Sequence, residues 1–245
     1  MQGPLKYDLH VVESVKSTNT TLKAWAKDGA PEGTVLAALS QTNGRGRYNR
    51  VFYSPKGSGL YVSVLLRPSV PLPPSALTCM SAVAVAETIE GMQKICAIKW
   101  VNDICIDGKK VAGILTEGAI LPDGRYDFAV IGIGVNLFPP EGGFPDAIRE
   151  IAGSVFDGEP DEEIRKAFLK KLLQRIRYYY ELLPELPFAD AYRQKQMIYG
   201  KEVLFTDGGR TQRGLAAGID PDFRLIVTAS DGTEHALDRG DVTIL

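Results

Sequence analysis

The segment Gln41-Thr42-Asn43-Gly44-Arg45-Gly46-Arg47-Tyr48-Asn49-Arg50 places three arginines within six positions, interleaved with glycines. Guanidinium groups take phosphate and carboxylate oxygens two at a time, at about 1.5–3 kcal/mol for each charge-assisted hydrogen bond. The glycines free the backbone to wrap closely around a ligand. This is the composition of a loop for a small anion or a nucleic-acid backbone, and equally of a solvated basic loop.

Two further segments could contribute chemistry. Lys99-Trp100-Val101-Asn102-Asp103 is followed by Lys109-Lys110-Val111-Ala112-Gly113-Ile114-Leu115-Thr116-Glu117. A lysine at a strand end sets a point charge beside a developing oxyanion or phosphate; the competing reading is a pair of lysines solvating a hairpin edge. Farther on, Gly132-Ile133-Gly134-Val135-Asn136 closes a buried strand and would let a ligand approach its backbone. The third glycine of a dinucleotide fingerprint is missing, and no P-loop occurs, so ATP, if used, is held by other means. No Ser/His/Asp or Cys/His arrangement suggests a protein nucleophile.

The elements that must position these residues are legible in outline. Ser17-Thr18-Asn19 caps a short amphipathic helix closed by Asp28-Gly29. Thr34–Ser40 and Leu60–Leu66 read as strands flanking the long loop Gln41–Gly59. Ser75–Met92 has apolar residues at helical spacing. Ala97–Ile106 and Lys110–Thr116 flank the hairpin dipeptide Asp107-Gly108, and Asp127–Val135 is another buried strand. Asp161–Leu183 is the clearest helix, with Ile164, Phe168, Leu172, Ile176 and Tyr180 on one face and acidic residues in its first turn. Beyond Pro187 the texture changes to short strand-like pieces, Lys201–Thr206, Thr211–Ala217, Arg224–Ala229, Glu234–Leu237 and Val242–Leu245. Asp207-Gly208-Gly209, Asp220-Pro221-Asp222 and Asp231-Gly232 separate them, as in a small β-barrel. The expected architecture is an α/β (α+β) domain over residues 1–190 followed by an all-β domain over residues 191–245.

Composition narrows the partners. In 245 residues, Lys+Arg is 28 and Asp+Glu 30, a net charge of -2 that argues against binding nucleic acid through phosphate contacts. The longest apolar runs fall short of the roughly 20 residues that span a bilayer, and no signal peptide is legible. Cys79, Cys96 and Cys105 are odd in number and scattered, which suits reduced thiols in the cytosol. His10 and His235 stand too far apart to suggest a zinc site.

Taken in order, these segments resemble the biotin protein ligase family. The match runs through Ser17-Thr18-Asn19, Gln41, Gly44-Arg45-Gly46-Arg47-x-x-Arg50, Ser54-Pro55, Lys99-Trp100-x-Asn102-Asp103, Lys110-Val111-Ala112-Gly113-Ile114-Leu115 and Gly132-x-Gly134-x-Asn136. The resemblance implies a mixed-sheet catalytic domain like that of class II aminoacyl-tRNA synthetases, and a C-terminal SH3-like barrel. It implies ATP and biotin as substrates, Mg²⁺ as cofactor, and a biotin carboxyl carrier domain as acceptor. Ser17, Thr18, Asn19, Gln41, Gly44, Arg45, Gly46, Arg47, Lys110, Gly113, Gly132 and Gly134 would bind biotin. Arg45, Arg47, Arg50, Lys99, Asp103, Lys110 and Asn136 would bind ATP, with Arg45, Arg47 and Lys110 catalytic. Val101 stands where the family usually has proline, and the arginine with which many relatives follow the last strand has no counterpart after Leu245. Relatives are often dimers through the catalytic sheet, so the resemblance implies a homodimer. Only sixteen residues precede Ser17, too few for a helix-turn-helix domain. A lipoate or octanoate transferase of the same fold and a biotin-sensing binding protein are the alternatives.

Overall fold

The computed structural model describes residues 4–245 apart from Gly208, Arg239 and Asp241. The chain runs β1 (Asp8–Val15), α1 (Thr18–Lys27), β2 (Thr34–Gln41), β3 (Gly59–Leu66), α2 (Ala76–Glu90), β4 (Ala97–Lys99), β5 (Asp103–Ile106), β6 (Lys109–Ile120), β7 (Tyr126–Asn136), α3 (Glu162–Glu181) and α4 (Ala189–Gln194). These strands form one mixed sheet in the order β1-β2-β3-β7-β6-β5-β4, in which only β1 and β2 pair in parallel.

Side chains of a strand alternate between faces, and here both faces are covered. Leu22 and Ala26, one helical turn apart on α1, pack on one face against Leu36, Leu65, Phe128 and Val130. Val35, Val62, Val64 and Ile131 face the larger core with α2. Every residue of β3 is therefore buried. α2 is buried on nearly all sides, as a helix without a polar face must be, and α3 packs against it. The buried stripe of α3 includes Phe168, Leu172, Ile176 and Tyr180, and its N-cap Asp161 accepts hydrogen bonds from Glu163 N and Ile164 N at 2.8 and 3.2 Å. No helix among the described residues is long and apolar enough to cross a membrane.

The C-terminal strands β8 (Glu202–Asp207), β9 (Arg210–Ile219), β10 (Leu225–Ala229), β11 (Glu234–Leu237) and β12 (Val242–Ile244) form an antiparallel sheet in the order β11-β10-β9-β8-β12, consistent with the SH3-like expectation. In the expected Asp207-Gly208-Gly209 turn, Gly208 lies outside the described residues. The two sheets share one core: Phe188 stacks on Phe223 with ring centroids 5.7 Å apart, and Trp100 Nε1 donates to Phe223 O at 3.0 Å. α4 crosses position 190, where the sequence reading divides the chain.

Two features depart from the sequence reading. The expected continuous strand Ala97–Ile106 is broken at Trp100-Val101-Asn102, so that β4 and β5 fold back on one another. Within that turn the Trp100–Val101 peptide bond is cis, and Tyr192 Oη donates to Val101 O at 2.9 Å. The edge strand β1 was not expected, because Leu9 and Val11 are exposed and leave no one-sided apolar pattern to read. The Asp107-Gly108 turn is as expected, with φ of 49° and 77° at the two central residues, the positive values a tight two-residue hairpin needs.

Candidate active site

A cavity of about 560 Å³ opens where the N-terminus of α1, the loop after β2, the β4–β5 turn and the ends of β6 and β7 converge. It is lined by Ser17, Thr18, Asn19, Gln41, Arg45, Gly46, Arg47, Arg50, Lys99, Asp103, Lys110, Gly113, Gly132, Gly134 and Asn136, residues separated by up to 119 positions in sequence. Of the residues expected to bind biotin or ATP, only Gly44 is not in the lining. Its role is local: a Cβ there would stand 2.4 Å from Phe52 O and 2.6 Å from Ser54 Oγ, so the loop can fold back on itself only with glycine.

The α1 end of the cavity is held by interlocking hydrogen bonds. Thr18 N, one of the amides a helix start leaves unpaired, donates to Gln41 Oε1 at 2.9 Å. Gln41 Nε2 in turn donates to Ser54 Oγ at 2.9 Å, tying the helix to the far side of the loop. Asn19 reaches down to the sheet, where Ser63 Oγ donates to its Oδ1 at 2.7 Å and its Nδ2 donates to Leu115 O and to Glu117 Oε2, both at 3.0 Å. That approach depends on Gly132, where a Cβ would lie 2.1 Å from Asn19 Oδ1.

The arginine loop forms a small hairpin. Arg45 bridges to Val51, Gly46 N donates to Arg50 O at 2.7 Å, and a tight turn over residues 47–50 is closed by Arg50 N donating to Arg47 O at 3.1 Å. Tyr48 and Asn49 have φ of 54° and 59°, a left-handed conformation that asparagine tolerates better than tyrosine. Arg45 Nη2 donates to Asn49 Oδ1 at 3.3 Å, and its Nη1 lies 3.7 Å from Glu117 Oε1. Arg47 Nη1 donates to Asn102 Oδ1 at 3.4 Å, which connects the loop to the β4–β5 turn. Loop and turn thus close on one another across the mouth.

At the opposite wall Lys110 Nζ stands 2.6 Å from Asp103 Oδ1, and Lys99 and Asp103 are directly opposed in the β4–β5 ladder. Gly113 makes room for Lys110, since a Cβ there would lie 3.1 Å from Lys110 Nζ. Phe52 was not anticipated. Its ring fills the space a side chain at Gly134 would take, with Cε1 only 2.5 Å from such a Cβ, and it lies under Lys110 Nζ, 6.0 Å from the ring centre. Asn136 lines the cavity but donates its Nδ2 to Gly153 O at 3.0 Å, so it anchors the segment beyond β7. From that segment Phe144, Ile148, Ile151 and Ala152 supply an apolar shelf beside Lys110, bonded to it through Lys110 N to Ile151 O at 2.7 Å. No motif marked the shelf in the sequence, because it is an irregular stretch without periodicity. Gly240 and Val242 bring the C-terminal sheet to the rim.

The cavity is rich in cations and poor in nucleophiles. Its one cysteine, Cys105, has a thiol pushed up to about 11, chiefly by burial and then by the Asp103 charge, so it is protonated and unreactive at neutral pH. Just behind the lining, burial works against the charge of Glu117, but hydrogen bonds from Lys23 and Asn19 and the charges of Lys23 and Arg45 outweigh it and hold the carboxyl below its ordinary value. Such a chamber presents cations and hydrogen-bond donors suited to holding acidic groups.

Residues 11–136 match the biotin/lipoate A/B protein ligase family. The bifunctional ligase/repressor BirA of Bacillus spizizenii is 41% identical over 161 residues, 65% of this chain and 49% of that one, so this chain spans about half the length of that relative. The biotin–[acetyl-CoA-carboxylase] ligase of Mycobacterium tuberculosis is 33% identical over 248 residues, covering 97% of this chain and 89% of the relative. The biotin protein ligase of Aquifex aeolicus, solved in complex with biotin and ATP, superposes with a TM-score of 0.82 at 28% identity, over 97% of this chain and 99% of that one. The chain belongs to the biotin/lipoate A/B protein ligase family, and within it stands with the biotin protein ligases.

Proposed function

We propose that this cavity joins biotin to ATP as biotinyl-5'-adenylate and then passes the biotinyl group to a lysine of a biotin carboxyl carrier domain. The observation that carries the reading is the convergence of Arg45, Arg47, Arg50 and Lys110 on one chamber that also holds the Gln41-braced end of α1. The solved Aquifex relative that holds both biotin and ATP supports it.

In this reading biotin enters at the α1 end, where Ser17, Thr18, Asn19 and Gln41 offer polar atoms, and Gly132 and Gly134 leave its floor open. Its carboxylate points toward Lys110. The adenine lies on the shelf of Phe144, Ile148, Ile151 and Ala152, and the phosphates meet Arg45, Arg47 and Arg50. A carboxylate oxygen attacks the α-phosphorus and pyrophosphate leaves. Negative charge gathers on the α-phosphate oxygens at the moment Lys110 and the arginines can neutralise it. In the second step the neutral lysine amine of the carrier attacks the acyl carbon, AMP leaves with the electron pair, and the amine proton passes to solvent. Mg²⁺ fits the residues present: such ions are held largely by nucleotide phosphates with one or two carboxylates, and Asp103 is the carboxylate in the described lining. When bound it would neutralise phosphate charge.

Partners and place follow as proposals. The exposed edge strand β1, with Leu9 and Val11, supports a homodimer through the catalytic sheet. Net charge of -2 and free cysteines support a cytosolic protein that binds neither nucleic acid nor membrane. For the domain division, residue 190 is the proposed boundary.

Biotin-dependent release of pyrophosphate from ATP and Mg²⁺ is the expected result, with label then passing to a carrier-domain lysine and no release with lipoate or octanoate. Release driven by either of those acids in preference to biotin would move the chain to the lipoate side of the family. A second expectation concerns Asn43–Arg50. Ordering eight residues costs on the order of 10 kcal/mol, and ligand phosphates and carboxylate offset much of it. Amide exchange in this loop is therefore expected to slow markedly with biotin and ATP present, and equal exchange with and without them would refute a closing lid.

A further inference from the structure

Glu117 lies on β6 just behind the cavity and is not part of its lining. Its side chain is 19% exposed, yet it takes hydrogen bonds from two residues of one element and has a third cation at ion-pair distance from another. From α1, Asn19 Nδ2 reaches Oε2 at 3.0 Å and Lys23 Nζ reaches Oε1 at 2.5 Å; these residues are one helical turn apart and share a face. From the arginine loop, Arg45 Nη1 stands 3.7 Å from the same Oε1. Both Asn19 and Arg45 line the cavity. The carboxylate is thus the point at which the α1 end of the chamber and the arginine loop meet, and it stays ionised because the groups around it outweigh its burial.

We infer that Glu117 is a positioning residue for biotin capture, drawing the Arg45 guanidinium inward and fixing the amide of Asn19 so that the loop closes over the α1 end of the chamber. The inference rests on the ligase reading above. A salt bridge at this exposure would contribute little to stability by itself. Its effect falls on the lid proposed above, where holding one guanidinium removes part of the ordering cost from ligand binding. Lys23 sets the balance: it shares Oε1 with Arg45, so the carboxylate holds the arginine without burying it, and the guanidinium remains free to turn toward an anion.

Glu117→Gln keeps the shape and a hydrogen bond to Asn19 but removes the charge. Initial rates of pyrophosphate release, titrated in biotin, are expected to show a KM for biotin raised about tenfold, with kcat within threefold of wild type and an unchanged thermal midpoint. In an Arg45→Lys background the same substitution is expected to add less than half of that effect on a logarithmic scale, because it acts through Arg45. Glu117→Asp, which withdraws the carboxylate by one methylene, decides the question if the glutamine variant does not fold: a raised KM at an unchanged midpoint supports the role. A wild-type KM in either variant, full additivity with Arg45→Lys, or a fall in kcat and midpoint together would overturn it. Wild-type protein that releases no pyrophosphate with biotin would instead refute the ligase reading itself, so the two failures are distinct.

Discussion

Replacing Lys110 by methionine is expected to lower the rate of biotin-dependent pyrophosphate release by about 10²–10³-fold, the usual effect of removing one preorganised charge from a developing anion. The side chain is the second of β6 and stands 2.6 Å from Asp103, beside the apolar shelf. Its ammonium is a compact point charge, and the space for it is fixed by Gly113 and Phe52. Lys110→Arg should recover little, because a planar guanidinium is larger and presents its donors along a different axis. The fold should tolerate both changes, since Lys110 is part-exposed and outside the core. Pyrophosphate release by Lys110→Met within fivefold of wild type would remove the residue from the chemistry.

Gly132→Ala is the second large effect, on stability and capture together. The new Cβ would stand 2.1 Å from Asn19 Oδ1 and 2.7 Å from its Cγ, so the amide must leave its place. Ser63, fully buried, then keeps only Thr18 Oγ1, at 2.8 Å, as acceptor, Glu117 keeps Lys23 but loses Asn19, and Leu115 O loses the Asn19 donor, while the displaced amide must find new partners. Each buried polar group left unpaired costs about 1–3 kcal/mol, which for a chain of this length lowers the thermal midpoint by about 5–10 °C in total. The biotin KM should rise by about tenfold or more as the start of α1 shifts, a factor of ten being about 1.4 kcal/mol. Gly134→Ala is the control: its obstruction is the ring of Phe52, a half-buried side chain that can turn aside, so its midpoint should move less. Equal midpoints for the two variants would show that Asn19 is not the constraint.

How far the sequence could be read depended on whether local pattern or distant contact decides each feature. Ser17 is a helix cap with a sequence-local hydrogen bond, and the turn at Asp107-Gly108 is fixed by its own two residues, so both were legible; Asp161, read as part of the first turn of α3, is instead its N-cap. The short C-terminal strands were legible because turn residues bound each one. Strand β1 exists because β2 lies beside it, and nothing in its own side chains announces that. The break at Trp100–Asn102 was missed for a similar reason: the turn is held from afar by Tyr192 and Phe223. At the site, cations and glycines were visible as types. Phe52 lay outside every motif, and Asn102 and Glu117, although inside quoted segments, were given no role, because a lone aromatic, amide or carboxylate becomes meaningful only once its neighbours are known. The loop composition could not separate a ligand loop from a solvated one; the bridge of Arg45 to Val51 and the contact of Arg47 with Asn102 favour the former.

The hydrogen bond from Trp100 to Phe223 has a consequence for how the molecule fails. Trp100 is at once a wall of the cavity and the residue by which the β4–β5 turn grips the C-terminal sheet. Detaching that sheet would strip Phe223 from between Phe188 and Tyr192 and release the turn that carries Asn102 and Asp103. Loss of the C-terminal sheet and loss of the chamber are therefore expected to occur together. A protease cut within the sheet is expected to abolish the proposed pyrophosphate release in step with cleavage, and activity surviving in the cut N-terminal fragment would separate the two.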